Sequence, residues 1–122
     1  MTPPLTPFGL EYVIDAFGCV SDRLTSPGTL RKIVAALIQE LHLHAVAEPL
    51  WHVFPDPGGI SGVVLLAESH LTVHTFPERG YAAFNLFHCG GHLDWPWDLR
   101  LGEFLGSQQV MVRTIPRGDE SA

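Results

Sequence analysis

Apolar positions change period along this chain, and the changes mark out its elements. Leu30, Ile33, Val34, Leu37, Ile38 and Leu41 recur at i, i+3, i+4, i+7, i+8 and i+11, which is one stripe of an α-helix. Ser26 suits the N-cap and Pro27 the first helical position, so the helix starts there and is expected to end near His42 to His44. Elsewhere the period is two. Residues 10–17 (LEYVIDAF) are rich in β-branched and aromatic residues and read as a first strand. Residues 50–54 form a short strand before the turn-rich PDPGG, and residues 60–67 a strongly apolar one. In residues 70–76, His70, Thr72 and His74 fall on one face and Leu71 and Val73 on the other. After a turn at 77–80 come strands at 81–87 and 109–115, with a short helix expected within 94–106. The order β-α-β-β-β-β-(α)-β predicts an α+β fold: a two-layer α/β sandwich, with an antiparallel sheet and helices on one face.

Length and composition bound what this fold can do. The chain has 122 residues, a single-domain size without repeats or a dividing linker, and is 46% hydrophobic and 16% charged. Residues 1–8 are Pro-rich and read as a loose arm, and residues 117–122 (RGDESA) as a frayed tail. Seven basic against thirteen acidic residues leave a net charge of −6. That charge argues against a nucleic-acid partner and against an anionic membrane surface, and its field favours a cationic substrate. The longest apolar run, 62–67, is far too short to span a bilayer, and the opening residues lack a charged signal-peptide start. Cys19 and Cys89 do not make a disulfide framework, so a reducing, cytoplasmic location is expected.

The densest reactive stretch runs from Ser61 to Cys89. Three chemistries compete for it. A metal site is suggested by seven histidines and two cysteines. On a strand, however, His70 and His74 would stand about 13 Å apart at roughly 3.3 Å per residue, whereas zinc ligands sit about 2 Å from the metal. His88-Cys89-Gly-Gly-His92 matches no standard ligand spacing, so no metal is expected. A Ser–His or Cys–His hydrolase needs a nucleophile elbow and an acidic partner, and Ser61 in GISG supplies neither. The third reading is self-cleavage. Ser69 attacks the carbonyl carbon before it, a base such as His74 removes its α-proton, and a hydroxyl such as Ser61 assists. Taken singly, each residue has a plainer reading. Cys89 and Cys19 pass as small core hydrophobes, His74 as a strand histidine, Phe54, Trp51 and Phe84 as core, and Glu78 as a solvated turn residue.

Residues 59–91, GISGVVLLAESHLTVHTFPERGYAAFNLFHCGG, closely resemble the bacterial S-adenosylmethionine decarboxylase proenzymes. The likeness extends more loosely to GLEYVIDAFGC at 9–19, the helix and WHVF at 51–54. The resemblance implies cleavage between Glu68 and Ser69 into chains 1–68 and 69–122, the second capped by a pyruvoyl group made from Ser69. It implies that His74 and Ser61 serve processing, that Cys89 is the catalytic proton donor, that Glu78 holds the substrate ribose, and that Phe54 stacks on adenine. It further implies a homodimer with active sites near the interface, and a Schiff base to the substrate whose decarboxylation feeds polyamine (spermidine) biosynthesis. Two segments depart from the family pattern. Relatives carry G-R-H where Gly9-Leu10-Glu11 stands, and the PDPGG loop is one residue longer than usual. Glu11 and Asp56 are therefore candidates to receive a second amine or a guanidinium. The alternative this opens is a pyruvoyl-dependent L-ornithine or L-arginine decarboxylase, and a third possibility is a non-enzymatic binding domain on the same fold.

Overall fold

A computed structural model describes residues 7–118. The expected helix runs Pro27–Glu40 (α2) and begins as its sequence dictates, with Pro27 in the first turn and the Ser26 hydroxyl accepting from the Thr29 N–H at 3.2 Å. Its stripe buries Leu30, Ile33, Val34 and Leu37. It stops short of the histidines. Leu41 caps it and His42 turns left-handed at φ 54°, which lets the Leu43 N–H bond back to the Ile38 carbonyl at 2.9 Å. A one-turn helix, Ser21–Leu24 (α1), precedes it, and Trp97–Leu105 (α3) is the short helix expected within 94–106.

Six strands make one antiparallel sheet: Gly9–Phe17 (β1), Leu50–Val53 (β2), Ile60–Leu66 (β3), Ser69–Phe76 (β4), Tyr81–Cys89 (β5) and Gln109–Arg117 (β6), in the order β2-β3-β4-β5-β1-β6. The first strand of the sequence is thus inserted between the fifth and sixth, in register Glu11↔Phe87 and Glu11↔Ile115. Alternation decides the faces. Tyr12, Ile14, Val64, Leu71, Val73, Phe84 and Leu86 are buried with α2 and with Leu101 and Leu105 of α3 in a single core. The alternate positions, including Glu11, Asp15, Ser61, His70, His74 and Asn85, line a face that no helix among the described residues covers. This is the expected two-layer sandwich. The expected loose arm at 1–8 lies mostly outside the described residues. Arg117, expected in the tail, instead closes β6, because Gly9 pairs with it. The 77–80 turn is a short 3₁₀ segment, Pro77–Arg79, ended by Gly80.

Two local devices hold the β2–β4 region. Gly62 is the seat of the Trp51 ring, since a methyl group at that position would collide with it. Thr75 is a buried polar side chain. Its hydroxyl accepts from the Ile60 N–H at 2.8 Å and donates to the Leu24 carbonyl at 2.8 Å, tying β4 to the start of β3 and to α1. Cys19 is core, as its plainer reading had it, and burial pushes its thiol up to about 11. Replacing Thr75 with Val strands one buried donor and one buried acceptor. The urea midpoint of Thr75→Val is expected to fall by the equivalent of about 1–3 kcal/mol, and that of Thr75→Ser much less.

Candidate active site

The β3–β4 register sets the site. Ser61 pairs with His74 and Leu66 with Ser69, so only Ala67 and Glu68 are left to make the turn. Glu68 takes φ 61°, the left-handed conformation that Gly or Asn normally supplies in a two-residue hairpin, at a cost of about 1–3 kcal/mol for other residues. The peptide bond that follows this strained residue is Glu68–Ser69. The Ser69 hydroxyl leans back over the turn toward the Ala67 carbonyl, at 3.5 Å. From β5, the Cys89 thiol donates to the Glu68 carbonyl oxygen at 2.9 Å. A carbonyl that accepts a donor is more open to attack at carbon, and the oxyanion that attack creates is stabilised by the same donor.

At the other end of β4, Ser61 Oγ and His74 Nδ1 are hydrogen-bonded at 2.8 Å. Both border a cleft of about 820 Å³, whose walls include Phe54, Phe76 and Glu78. Phe54 is 49% exposed, so it is no core residue, and it meets His52 edge to face. Its position on the cleft gives a flat ring a place to stack. Glu78, exposed on the 3₁₀ segment, brings a carboxylate to the same rim. Asp56 is exposed in the β2–β3 loop, where Pro57 rather than Asp56 forms part of the wall. A larger cleft of about 900 Å³ lies between α2 and the residues leading to β2, away from all of these groups.

The candidate residues thus fall into two sets. Glu68, Ser69 and Cys89 come together, as do Ser61, His74, Phe54 and Glu78. Ser69 and His74 do not, because they lie five steps apart along one strand, about 17 Å at roughly 3.3 Å per residue. Among the described residues, no group of three or more His, Cys, Asp and Glu side chains is placed to hold a metal ion.

Glu11 is not a free carboxylate. Arg117 Nη1 donates to Oε1 at 2.8 Å and Asn85 Nδ2 to Oε2 at 2.7 Å. The Asn85 bond foremost, and then Arg117, hold its carboxyl below the usual range against the opposing effect of burial. His70 joins this group through Asn85, its Nε2 standing 3.1 Å from Oδ1. A parallel rung ties Arg113 to Asp15 at 3.0 Å and Asp15 to the Tyr81 hydroxyl, whose pKa burial and then Asp15 push up to about 12. Sequence reading weighed His70 only as a metal ligand and missed Asn85 and Arg117 as members of the site region. The alternation puts them on the open face, but only the pairing of β1 with β5 and β6 joins them.

The comparisons agree with this architecture. Residues 10–118 match the family model described as S-adenosylmethionine decarboxylase. The chain is 39% identical over 116 residues to the S-adenosylmethionine decarboxylase proenzyme of Pseudomonas paraeruginosa, covering 94% of this chain and 71% of that one. It is also 39% identical over 113 residues to the proenzyme of Geobacillus kaustophilus, covering 90% and 87%. A crystal structure of the adenosylmethionine decarboxylase from Aquifex aeolicus VF5 superposes with a TM-score of 0.77 at 24% identity over 93% of each chain, so the fold is shared.

The conformation of Glu68 yields a direct test. In a Ser69→Ala background, which removes the neighbouring hydroxyl, Glu68→Gly is expected to raise the unfolding free energy by about 1 kcal/mol by relieving the left-handed position. An unchanged or lower denaturant midpoint would show that the turn stores no strain.

Proposed function

The chain belongs to the S-adenosylmethionine decarboxylase family, and from that premise we propose that it cuts itself at Glu68–Ser69 and then decarboxylates S-adenosylmethionine with the pyruvoyl group so formed. The observation that carries the reading is the turn itself. A left-handed Glu68 stands immediately before Ser69, and the Cys89 thiol lies 2.9 Å from the oxygen of the carbonyl whose carbon is attacked. Ser69 Oγ adds to the Glu68 carbonyl carbon, the C–N bond to Ser69 breaks, and the peptide becomes an ester. A base then takes the Ser69 α-proton and the Glu68 carboxylate leaves. Water converts the remaining enamine to a ketone with loss of ammonia. Strain at Glu68 is released in the first step, and Cys89 steadies the oxyanion. A half-buried Ser69 beside a thiol and at the end of a strand fits the group it would become. That group, once formed, is the electron sink that lets the substrate's carboxylate depart as carbon dioxide. Cys89 is then placed to deliver the proton that replaces it.

The distance between the two sets of residues supports a homodimer. Ser61 and His74 lie on the sheet's uncovered face and the Glu68–Ser69 turn at the far end of the same strands, and that face also carries exposed Val63, Leu65, Phe76 and Ile115. A second copy laid on this face about a twofold axis would bring its Ser61–His74 pair toward the first copy's Ser69, and with it the cleft bordered by Phe54 and Glu78. Phe54 would stack on the base and Glu78 would take the ribose hydroxyls. The net charge of −6 suits a sulfonium substrate. No helix among the described residues is long and apolar enough to cross a membrane. The two free cysteines and the bacterial relatives are the grounds on which we propose a cytoplasmic location. The ornithine or arginine reading drew on Glu11 and Asp56. Glu11 already has a guanidinium and an amide on its two oxygens, and the relatives named above are S-adenosylmethionine decarboxylases.

A mass spectrum of the purified protein is expected to show two chains divided after Glu68, with carbon dioxide released from carboxyl-labelled S-adenosylmethionine and none from ornithine or arginine. Ser69→Ala should remain whole and inactive. A wild-type chain that stays whole would leave only the binding-domain reading. Cys89→Ala is expected to lower kcat by roughly 100-fold or more, the scale of a lost proton donor.

A further inference from the structure

Four side chains from four strands form one unbroken line across the open face and end beside the scissile bond. Arg117 on β6 donates to Glu11 on β1, Asn85 on β5 donates to the other Glu11 oxygen, and Asn85 Oδ1 faces Nε2 of His70 on β4. Phe87 supports both ends. The His70 ring stacks on it with centroids 5.9 Å apart at 23°, and the Arg117 guanidinium carbon lies 5.8 Å from its centroid. None of these groups has a part in the chemistry above, yet His70 immediately follows Ser69.

The line has only one possible polarity. A guanidinium can only donate and an ionised carboxylate can only accept. Asn85 must therefore turn its NH₂ to Glu11, which leaves its carbonyl toward His70. That carbonyl can only accept, so His70 Nε2 carries the hydrogen. In the neutral ring Nδ1 is then a bare acceptor, and Nδ1 is the ring nitrogen nearer the backbone. The lowered pKa of Glu11 keeps the carboxylate in its accepting form.

We propose that Arg117, Glu11 and Asn85 are positioning residues that fix the tautomer of His70, so that His70 Nδ1 stands as a hydrogen-bond acceptor next to residue 69 during cleavage. Movement of the acyl group to Ser69 Oγ frees the Ser69 nitrogen as an amine, a new donor one residue from His70. A bare Nδ1 can accept from it and favour the ester, whereas a protonated Nδ1 cannot. The role in cleavage rests on the self-processing reading, but the tautomer does not.

The test separates the two. ¹⁵N NMR of the imidazoles in the uncut Ser69→Ala chain reads the tautomer, and mass spectrometry of chains with Ser69 intact reads the rate of cutting. In Glu11→Gln, Arg117 still claims the side-chain oxygen, so the new NH₂ faces Asn85. Asn85 flips, its own NH₂ meets His70, and the hydrogen moves from Nε2 to Nδ1. Cleavage is expected to slow by roughly tenfold or more, the scale seen when the partner orienting a functional histidine is removed. Adding Arg117→Met frees the new side-chain amide to turn round, so the double variant should regain Nε2–H and cut faster than Glu11→Gln alone, an effect no loss of packing would give. Arg117→Lys keeps the donor and should keep the tautomer. The proposal is overturned if the parent His70 carries its hydrogen on Nδ1, if Glu11→Gln leaves the tautomer in place, or if a reversed tautomer cuts at the parent rate. A parent chain that never cuts would sink the self-processing reading and the cleavage role with it, while the NMR result would still decide the relay.

Discussion

Register between β3 and β4 is the constraint on which the rest depends. Six residue pairs, from Ser61↔His74 to Leu66↔Ser69, fix a connection of only two residues and so force the second, Glu68, into a left-handed conformation. A slip of β4 by one residue would exchange its two faces, exposing Leu71 and Val73 and burying His70 and His74. The hydrophobic core thereby selects the peptide bond that is strained. The energy that holds Glu68 out of its preferred conformation comes from apolar residues packed beneath the sheet rather than from the residues that carry the chemistry.

Much of this was legible in the sequence because it is local and periodic. The stripe of α2, the Ser26 cap and the alternation through β4 follow from spacing alone. Several features were not legible, for physical reasons. The early end of α2 depends on a left-handed His42, for which the sequence offers no glycine signal. Arg117 reads as tail until its pairing with Gly9, far away along the chain, is known. Strand order is likewise a long-range property, and nothing in residues 10–17 announces a place between β5 and β6.

The site divides along the same line. The block from Ser61 to Cys89 was found through family resemblance, since spacing alone left metal, hydrolase and self-cleavage chemistry open. Local pairing explains why Ser61 meets His74, and β5 pairing explains why Cys89 meets Glu68. Neither explains the gap of about 17 Å between Ser69 and His74, which the proposed second copy on the uncovered face would bridge. Glu11 shows the converse limit. An acid new to its position reads as a receptor for an amine, whereas the fold has already matched it with an arginine from the last strand.

The placement of β1 has one more consequence. A cut after Glu68 would put β1, β2 and β3 in one fragment and β4, β5 and β6 in the other, yet β1 is flanked on both sides by strands of the second fragment. The two pieces would be woven together, neither owning a complete sheet. The severed protein would therefore melt as an obligate heterodimer whose midpoint rises with protein concentration, whereas the intact precursor lacks this added fragment-association dependence.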